Sequence, residues 1–251
     1  MESEPPEQTA WPPVTEDGAF ATTQWTVIFD AARDGDSACE KALEKLCQAY
    51  WQPVYAFCRH RGNPPEEAKD LTQAFFANLL GKRSFGAANP EKGKFRTYLL
   101  GAVKFFLGNE WQKQRRLKRG GQAKHFHIDA ESVERALEVE YADDQTPELL
   151  YERHWASVML DLAQNALRQE YRDREKEELF DILLPFLAGS VGGTSYGEVA
   201  RSHGQTESSV KMAASRMRKR FGEILREIVA GTVDSPDEIE EEIRHMLQLF
   251  R

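Results

Sequence analysis

Two groups of side chains in this 251-residue sequence have the types and spacing needed to handle nucleic acid. If the chain is helical beyond Thr206, then Ser208, Ser209, Lys211, Met212, Ser215, Arg216 and Lys219 lie opposite the apolar stripe Val210, Ala214, Met217, Phe221 and Leu225. Hydroxyls and cations on the early turns of a helix suit the major groove, where Lys and Arg bond guanine edges or hold phosphates. The bland reading of the same residues is a solvated basic face. In the second group, Tyr98, Phe105, Asn109, Gln112 and Arg116 share one helical face. Rings that stack on unpaired bases, amides that bond base edges and a guanidinium that holds phosphate are the chemistry of single-strand binding. That stripe also reads as a second packing face, because aromatic stripes usually belong to a core.

Catalysis finds less material. His60 near Cys58 and His154 near Asp161 could be imagined as pairs, but no nucleophile, base and orienting group come together, and no glycine loop suited to phosphate accompanies them. Cys39, Cys47 and Cys58 form neither a disulfide framework nor a Cys-x-x-Cys metal pair, and His125 and His127 have no neighbouring carboxylate or thiol cluster to complete a ligand set. The expectation is a protein that is not an enzyme and holds no metal and no cofactor.

The elements that would position both groups are helices. Apolar residues recur at helical spacing in Leu43, Leu46, Tyr50, Val54 and Phe57, and again in Leu71, Phe75, Leu79 and Leu80, with no alternating stretch that would argue for strands. Phe95, Leu99, Ala102 and Phe106 give the base-handling helix a core face. Thr146-Pro147-Glu148 marks a helix start, with a hydroxyl cap, a proline at the first position and an early acid, and a long helix to about Tyr171 should follow. Another is expected from about Arg174 to Leu184, before the glycine-rich Gly189 to Thr194. Ser195-Tyr196-Gly197-Glu198 is a capping box for a short helix reaching about Ser202. Within this segment Ala200 permits close helix crossing, Gly204 accepts a positive φ and Val210 packs the second helix on the first, while Thr206 caps that second helix. These are the parts of a helix-turn-helix.

The fold class expected is all-α, with two small helical domains joined by a flexible linker and the helix-turn-helix in the second. Residues 1–22 are a Pro- and Glu-rich tail, 23–119 the first domain, 120–146 the linker, 147–232 the second domain and 233–251 a C-terminal amphipathic helix. No apolar run approaches the roughly 20 residues that cross a bilayer, and the first residues lack a basic and then apolar leader, so a cytoplasmic protein without membrane insertion is expected. The net charge of -8 argues against a protein that coats nucleic acid unaided. Positive charge is nevertheless concentrated in 113–124 and 211–220, so two basic sites sit inside an acidic chain.

Asp70-Leu71-Thr72-Gln73-Ala74-Phe75-Phe76, followed by Gly93-Lys94-Phe95-Arg96-Thr97-Tyr98-Leu99-Leu100, resembles the D-L-T-Q-E-x-F and F-R-x-W/F-L-L segments of extracytoplasmic-function sigma factors of bacterial RNA polymerase. The order of segments is also similar: this pair, a basic stretch, a linker, then S-Y-G-E-V-A, a glycine and S-S-V-K. The resemblance covers about residues 23–232. It implies a first domain that docks on polymerase core and opens the minus-ten element, and a second that reads the minus-thirty-five element. It places the polymerase-binding surface on Asp70, Gln73, Phe76 and Leu79, and the promoter DNA contacts on the two groups above. The family's flipped-base pocket corresponds to residues 84–94. The chain departs from the family at Ala74, where an acid is usual, at Phe105, where asparagine is common, and at Ala213, where arginine is frequent. Partners implied are polymerase core and promoter DNA, with an anti-sigma factor or other regulator left open. A helix-turn-helix regulator that is not a polymerase subunit is the competing reading; it would account for the second domain and leave the first domain's motifs unexplained.

Residues 233–251 lie outside the resemblance. Ser235-Pro236-Asp237-Glu238 is another helix start, and Ile239, Ile243, Met246 or Leu247, and Phe250 predict an apolar stripe that must dock. The acidic cluster 238–242 points to the basic second domain as its partner, either to complete a core or to mask DNA-binding charge.

Overall fold

The structure is a computed structural model that describes residues 37–81, 94–116, 134, 145–187, 195–233 and 235–250. Its helices begin where their capping side chains dictate. Thr146 Oγ1 accepts the Leu149 amide at 3.2 Å, Thr206 Oγ1 accepts the Ser209 amide at 3.2 Å, and Ser195 and Glu198 close a reciprocal capping box, each side chain accepting the other's amide. Each contact satisfies a donor that the first helical turn leaves without an intrahelical partner. The elements are α1 (Ser37–His60), α2 (Pro65–Gly81), α3 (Phe95–Arg116), α4 (Pro147–Asp173), α5 (Glu177–Leu183) with a 3-10 turn at Leu184–Phe186, α6 (Tyr196–Ser202), α7 (Glu207–Ala230), a 3-10 turn at Pro236–Glu238, and α8 (Ile239–Gln248). Among the described residues there is no strand, and the fold is all-α.

Among the described residues, Gln164–Phe221 form one compact unit, and the residues up to Ala163 together with those from Gly222 form the other. The expected boundary at residue 147 is therefore displaced into α4. Buried aromatics are the reason. Tyr151 and Trp155 have no solvent exposure; the Tyr151 ring meets Phe57 edge-on with centroids 6.5 Å apart, and its hydroxyl donates to the Arg96 carbonyl at 3.1 Å. The first half of α4 thus completes the core of α1 to α3.

That core is built from Tyr50, Val54 and Phe57 of α1, Leu71, Phe75 and Phe76 of α2, and Phe95, Leu99, Val103 and Phe106 of α3. Edge-on pairs lock the helices together, with Tyr50 against Phe95 at 5.2 Å and Phe75 against Phe106 at 5.7 Å. Between α1 and α2 the chain turns at Gly62, whose φ of 91° suits a residue without Cβ, and the buried Asn63 amide donates to the Cys58 carbonyl at 2.7 Å. Within the expected linker, residues 120–133 and 135–144 lie outside the described set, as do residues 1–22. Glu134 is described, and it accepts Tyr55 Oη and Arg59 Nε, both at 2.5 Å.

In the smaller unit, Leu167, Phe180, Leu183, Phe186, Val199, Val210, Ala214 and Met217 are buried. α4 stops when Glu175 takes a φ of 56°, so that the Lys176 amide donates back to the Tyr171 carbonyl at 2.8 Å. The expected helix from 174 to 184 is correspondingly shorter, and Pro185 holds its last residues in the 3-10 turn.

The C-terminal segment meets residues 147–232, as expected, through Glu152, Arg153 and Arg226, and adds a partner that was not expected. α8 buries Glu242, Met246 and Leu249, whereas Leu247 and Phe250 are about half exposed. Its inward face runs 242, 246, 249, and it begins with a charge because two cations wait for it. Glu242 accepts Arg96 Nε at 2.8 Å and also takes Lys94 Nζ, and Glu240 meets Arg226 Nε near the end of α7 at 2.6 Å, so the acidic cluster pairs with the start of α3 as well as with the last turns of α7.

Candidate nucleic-acid interface

α3 carries one of the two expected contact groups. Its core side, Phe95, Leu99, Val103 and Phe106, is buried, with Ala102 at the margin, and this leaves the other side available. Phe105 is 74% exposed, which excludes the packing reading for that ring. Gln112 is exposed, Tyr98 and Asn109 are half-buried, and Arg116 is the last residue of the helix, with a side chain outside the described set. Tyr98 leans on Phe95 with centroids 6.1 Å apart, and burial raises its phenol above the ordinary tyrosine value, so the ring is a neutral stacking surface at any physiological pH. Sequence reasoning passed over Trp111, which is 52% exposed on α3; its bulk in a basic helix was the available signal.

α6 and α7 carry the second group. The connection between them turns at Gly204, with φ 60°, and the Gln205 amide donates to the Ala200 carbonyl at 2.9 Å. Val199, Ala200 and Val210 are buried at the crossing, as small and branched residues there require. On α7 the stripe Val210, Ala214, Met217 and Leu225 is buried, Phe221 is half-buried, and Ser208, Lys211, Met212, Ser215, Arg216 and Lys219 are exposed. Ser209 is half-buried, its hydroxyl 3.4 Å from the Gln205 side-chain oxygen.

Lys211 has a partner on its own helix. Its ammonium lies 2.6 Å from Glu207 Oε1 and 5.8 Å from the centre of the Tyr196 ring, and the Glu207 hydrogen bond raises its pKa above the usual lysine value. Tyr196 in turn stacks on Phe186 with centroids 4.3 Å apart, and Arg218 Nη1 donates to the Phe186 carbonyl at 3.2 Å and to the Tyr196 hydroxyl at 3.1 Å. This brace fixes the angle of α6 against α7. Arg220 binds both oxygens of Glu170, so it supports the unit and is not offered outward.

The four residues expected to face polymerase divide unequally. Asp70 is exposed, whereas Gln73, Phe76 and Leu79 are buried. Flanked by α1 and α3, α2 buries positions 68, 71, 72, 73, 75, 76 and 79, an arc too wide for three of the four residues to reach solvent. Asp70 stands at its edge. Of the imagined catalytic pairs, Cys58 is buried and its thiol is pushed up to about 12 by desolvation, while His60 Nδ1 lies 3.1 Å from the Ala56 carbonyl. His154 is buried as well.

A cluster that the sequence did not reveal joins α3, α4 and α8. Arg96 binds Glu242 through Nε at 2.8 Å and Nη2 at 3.2 Å, reaches Glu152 through Nη1 at 3.3 Å, and lies 4.9 Å over the Trp155 ring. Glu152 also meets His245 Nε2 at 2.5 Å, and Arg153 Nε donates to the Leu249 carbonyl at 2.7 Å. No described helix is long and apolar enough to cross a membrane. Residues 46–117, which span most of α1, all of α2 and all of α3, match the family model for Sigma-70 region 2. No curated protein and no solved structure matches the chain.

Proposed function

Since the chain is a sigma-70 family protein by the region 2 that it carries at residues 46–117, we propose that it directs RNA polymerase core to specific promoters as a factor of the extracytoplasmic-function type. A role in promoter recognition by RNA polymerase comes with that region. The observation that carries the finer reading is the solvent face of α3, where Phe105 and Gln112 are exposed at the end of the matched region. Those groups can stack on and bond bases of a separated strand. Opening a base from the duplex costs a few kcal/mol, which contacts of this kind offset.

In this reading α7 enters the major groove of the upstream element, and Lys211, Arg216 and Lys219 bond base edges or phosphates with Ser208, Ser209 and Ser215 beside them. The exposure of Lys211, Arg216 and Lys219 with Ser208 and Ser215 on one side of α7 supports it. Asp70 is the contact offered to polymerase, with Gln73, Phe76 and Leu79 holding its helix from beneath. The factor works in the cytoplasm, and its acidic net charge is consistent with delivery to DNA by the polymerase and not by its own field.

The test is reconstitution with core polymerase on a promoter library, followed by mapping of start sites. Starts that share upstream and minus-ten elements, lost with Asp70→Arg or Lys211→Ala, are the expected result. Specific binding to promoter duplex without polymerase, and no association with core, would replace the reading with that of a free-standing regulator.

A further inference from the structure

The cations at the head of α3 are already occupied. Lys94 immediately precedes the helix and Arg96 is in its first turn, and the carboxylate of Glu242 takes both, with Glu241 Oε1 3.8 Å from the Lys94 ammonium. Glu242 is 1% exposed, so this carboxylate is held by its partners and not by water. A carboxylate that bridges lysine and arginine at the first turn of a helix does what a phosphate would do there, since helix N-termini favour anions and arginine binds either group through a fork.

Two observations say that α8 can yield this position. The helix has ten residues, too few to persist alone, and among its apolar side chains Met246 is buried and Ile239 and Ile243 are half-buried, with Leu249 buried just beyond it and Leu247 and Phe250 about half exposed. Its seat depends on Glu242 with Lys94 and Arg96, His245 with Glu152, and Arg226 Nε with Glu240 at 2.6 Å. Ion pairs withdrawn from water give little net attraction beyond their desolvation cost, so a competing polyanion that satisfies the same cations can replace one.

We propose that α8 is an intramolecular substitute for nucleic acid: Glu242 holds Lys94 and Arg96 in the free chain, and a backbone phosphate of the separated promoter strand takes them when α8 withdraws. The strand-binding face of α3 then gains two positive charges at its head only as the acidic helix leaves. The inference rests on the reading of α3 as the strand-opening helix, and its test uses no polymerase, so failure here leaves polymerase association and start-site selection untouched.

The measurement is the affinity of a labelled single-stranded oligonucleotide of mixed sequence for the full chain across a salt series. Glu242→Gln keeps the shape of the side chain and removes its charge. It should bind about tenfold more tightly at low salt, because a masked state lowers apparent affinity. Its log-log salt slope should stay close to the parent's, because both complexes neutralise the same phosphates. Adding Lys94→Gln should lower that slope by about 0.7, one cation's share on a single strand. Unchanged affinity in a folded Glu242→Gln variant, or an unchanged slope on adding Lys94→Gln, would overturn the proposal. The wild-type chain supplies a second measurement that needs no substitution. Hydrogen exchange at residues 239–248 should accelerate with saturating oligonucleotide, and unchanged protection there would overturn it equally.

Discussion

Replacing Arg96 with methionine tests how strongly the C-terminal helix is tied to the rest of its unit. The substitution keeps length and packing against Trp155 and removes the fork that binds Glu242 at 2.8 and 3.2 Å. Glu242 is then left inside with Lys94 alone, and breaking a buried pair costs about 3 to 5 kcal/mol when one charge stays behind. Because Lys94 remains, the lower end, about 3 kcal/mol, is expected. The position over Trp155 adds about 1 kcal/mol of cation-ring attraction, part of which the methionine sulfur restores. With a urea dependence of about 2 to 3 kcal/mol/M, the midpoint should fall by about 1 to 1.5 M, read from the fluorescence of the buried Trp155. The double variant Arg96→Met, Glu242→Met removes both charges and should recover to within about 1 to 2 kcal/mol of the parent, as apolar replacements of buried ion pairs do. A double variant no more stable than the single one would refute the reasoning, since the loss would then come from packing and not from a stranded carboxylate.

Phe105→Ala removes a ring that is 74% exposed, so stability should change by less than about 0.5 kcal/mol while single-strand affinity falls by about 1 to 3 kcal/mol, measured by anisotropy. The Arg59 hydrogen bond, assisted by Tyr55, holds the Glu134 carboxyl below the usual glutamate value. Its contribution is complete above the unfolded pKa of about 4.3 and is lost as pH falls through the lower folded value, so urea midpoints of the parent and Glu134→Gln should converge only in acid. Cys58, with its thiol pushed up to about 12, should resist alkylation at pH 8 in the folded chain and react once urea unfolds it, whereas the half-buried Cys47 should react sooner. Mass mapping of the modified peptides distinguishes the two.

Local chemistry was legible because each signal involves neighbours in the chain. The capping box at Ser195, the caps at Thr146 and Thr206, the positive φ at Gly204 and the buried stripe of α7 all follow from residues within a few positions of one another. The α3 stripe was legible as a face, but its exposure was not: Phe105 could have faced a helix as easily as water. What the sequence hid lies far apart in it. Arg96 and Glu242 are separated by 146 residues, and an ion pair leaves no periodic trace at either end. The same blindness drew the C-terminal stripe through Ile239, Ile243, Met246 or Leu247, and Phe250, of which Met246 is buried, Ile239 and Ile243 are half-buried and Phe250 is exposed, since apolar periodicity alone gives a charged residue such as Glu242 no reason to turn inward. Gln73, Phe76 and Leu79 were misplaced on a surface because spacing identifies a helical face without saying how many neighbours enclose it.

The long reach of Glu242 also sets an order of events during synthesis. Residues 239–249 are translated after every residue they pack against, so a nascent chain has α1, α2, α3 and the first half of α4 available while Lys94 and Arg96 still lack their carboxylate. Domains fold as units during elongation, at about 5 to 20 residues per second, and this unit stays unfinished until its last helix leaves the ribosome. An incomplete product ending before α8 would present a bare cationic α3 to any polyanion nearby, the ribosome's own RNA among them.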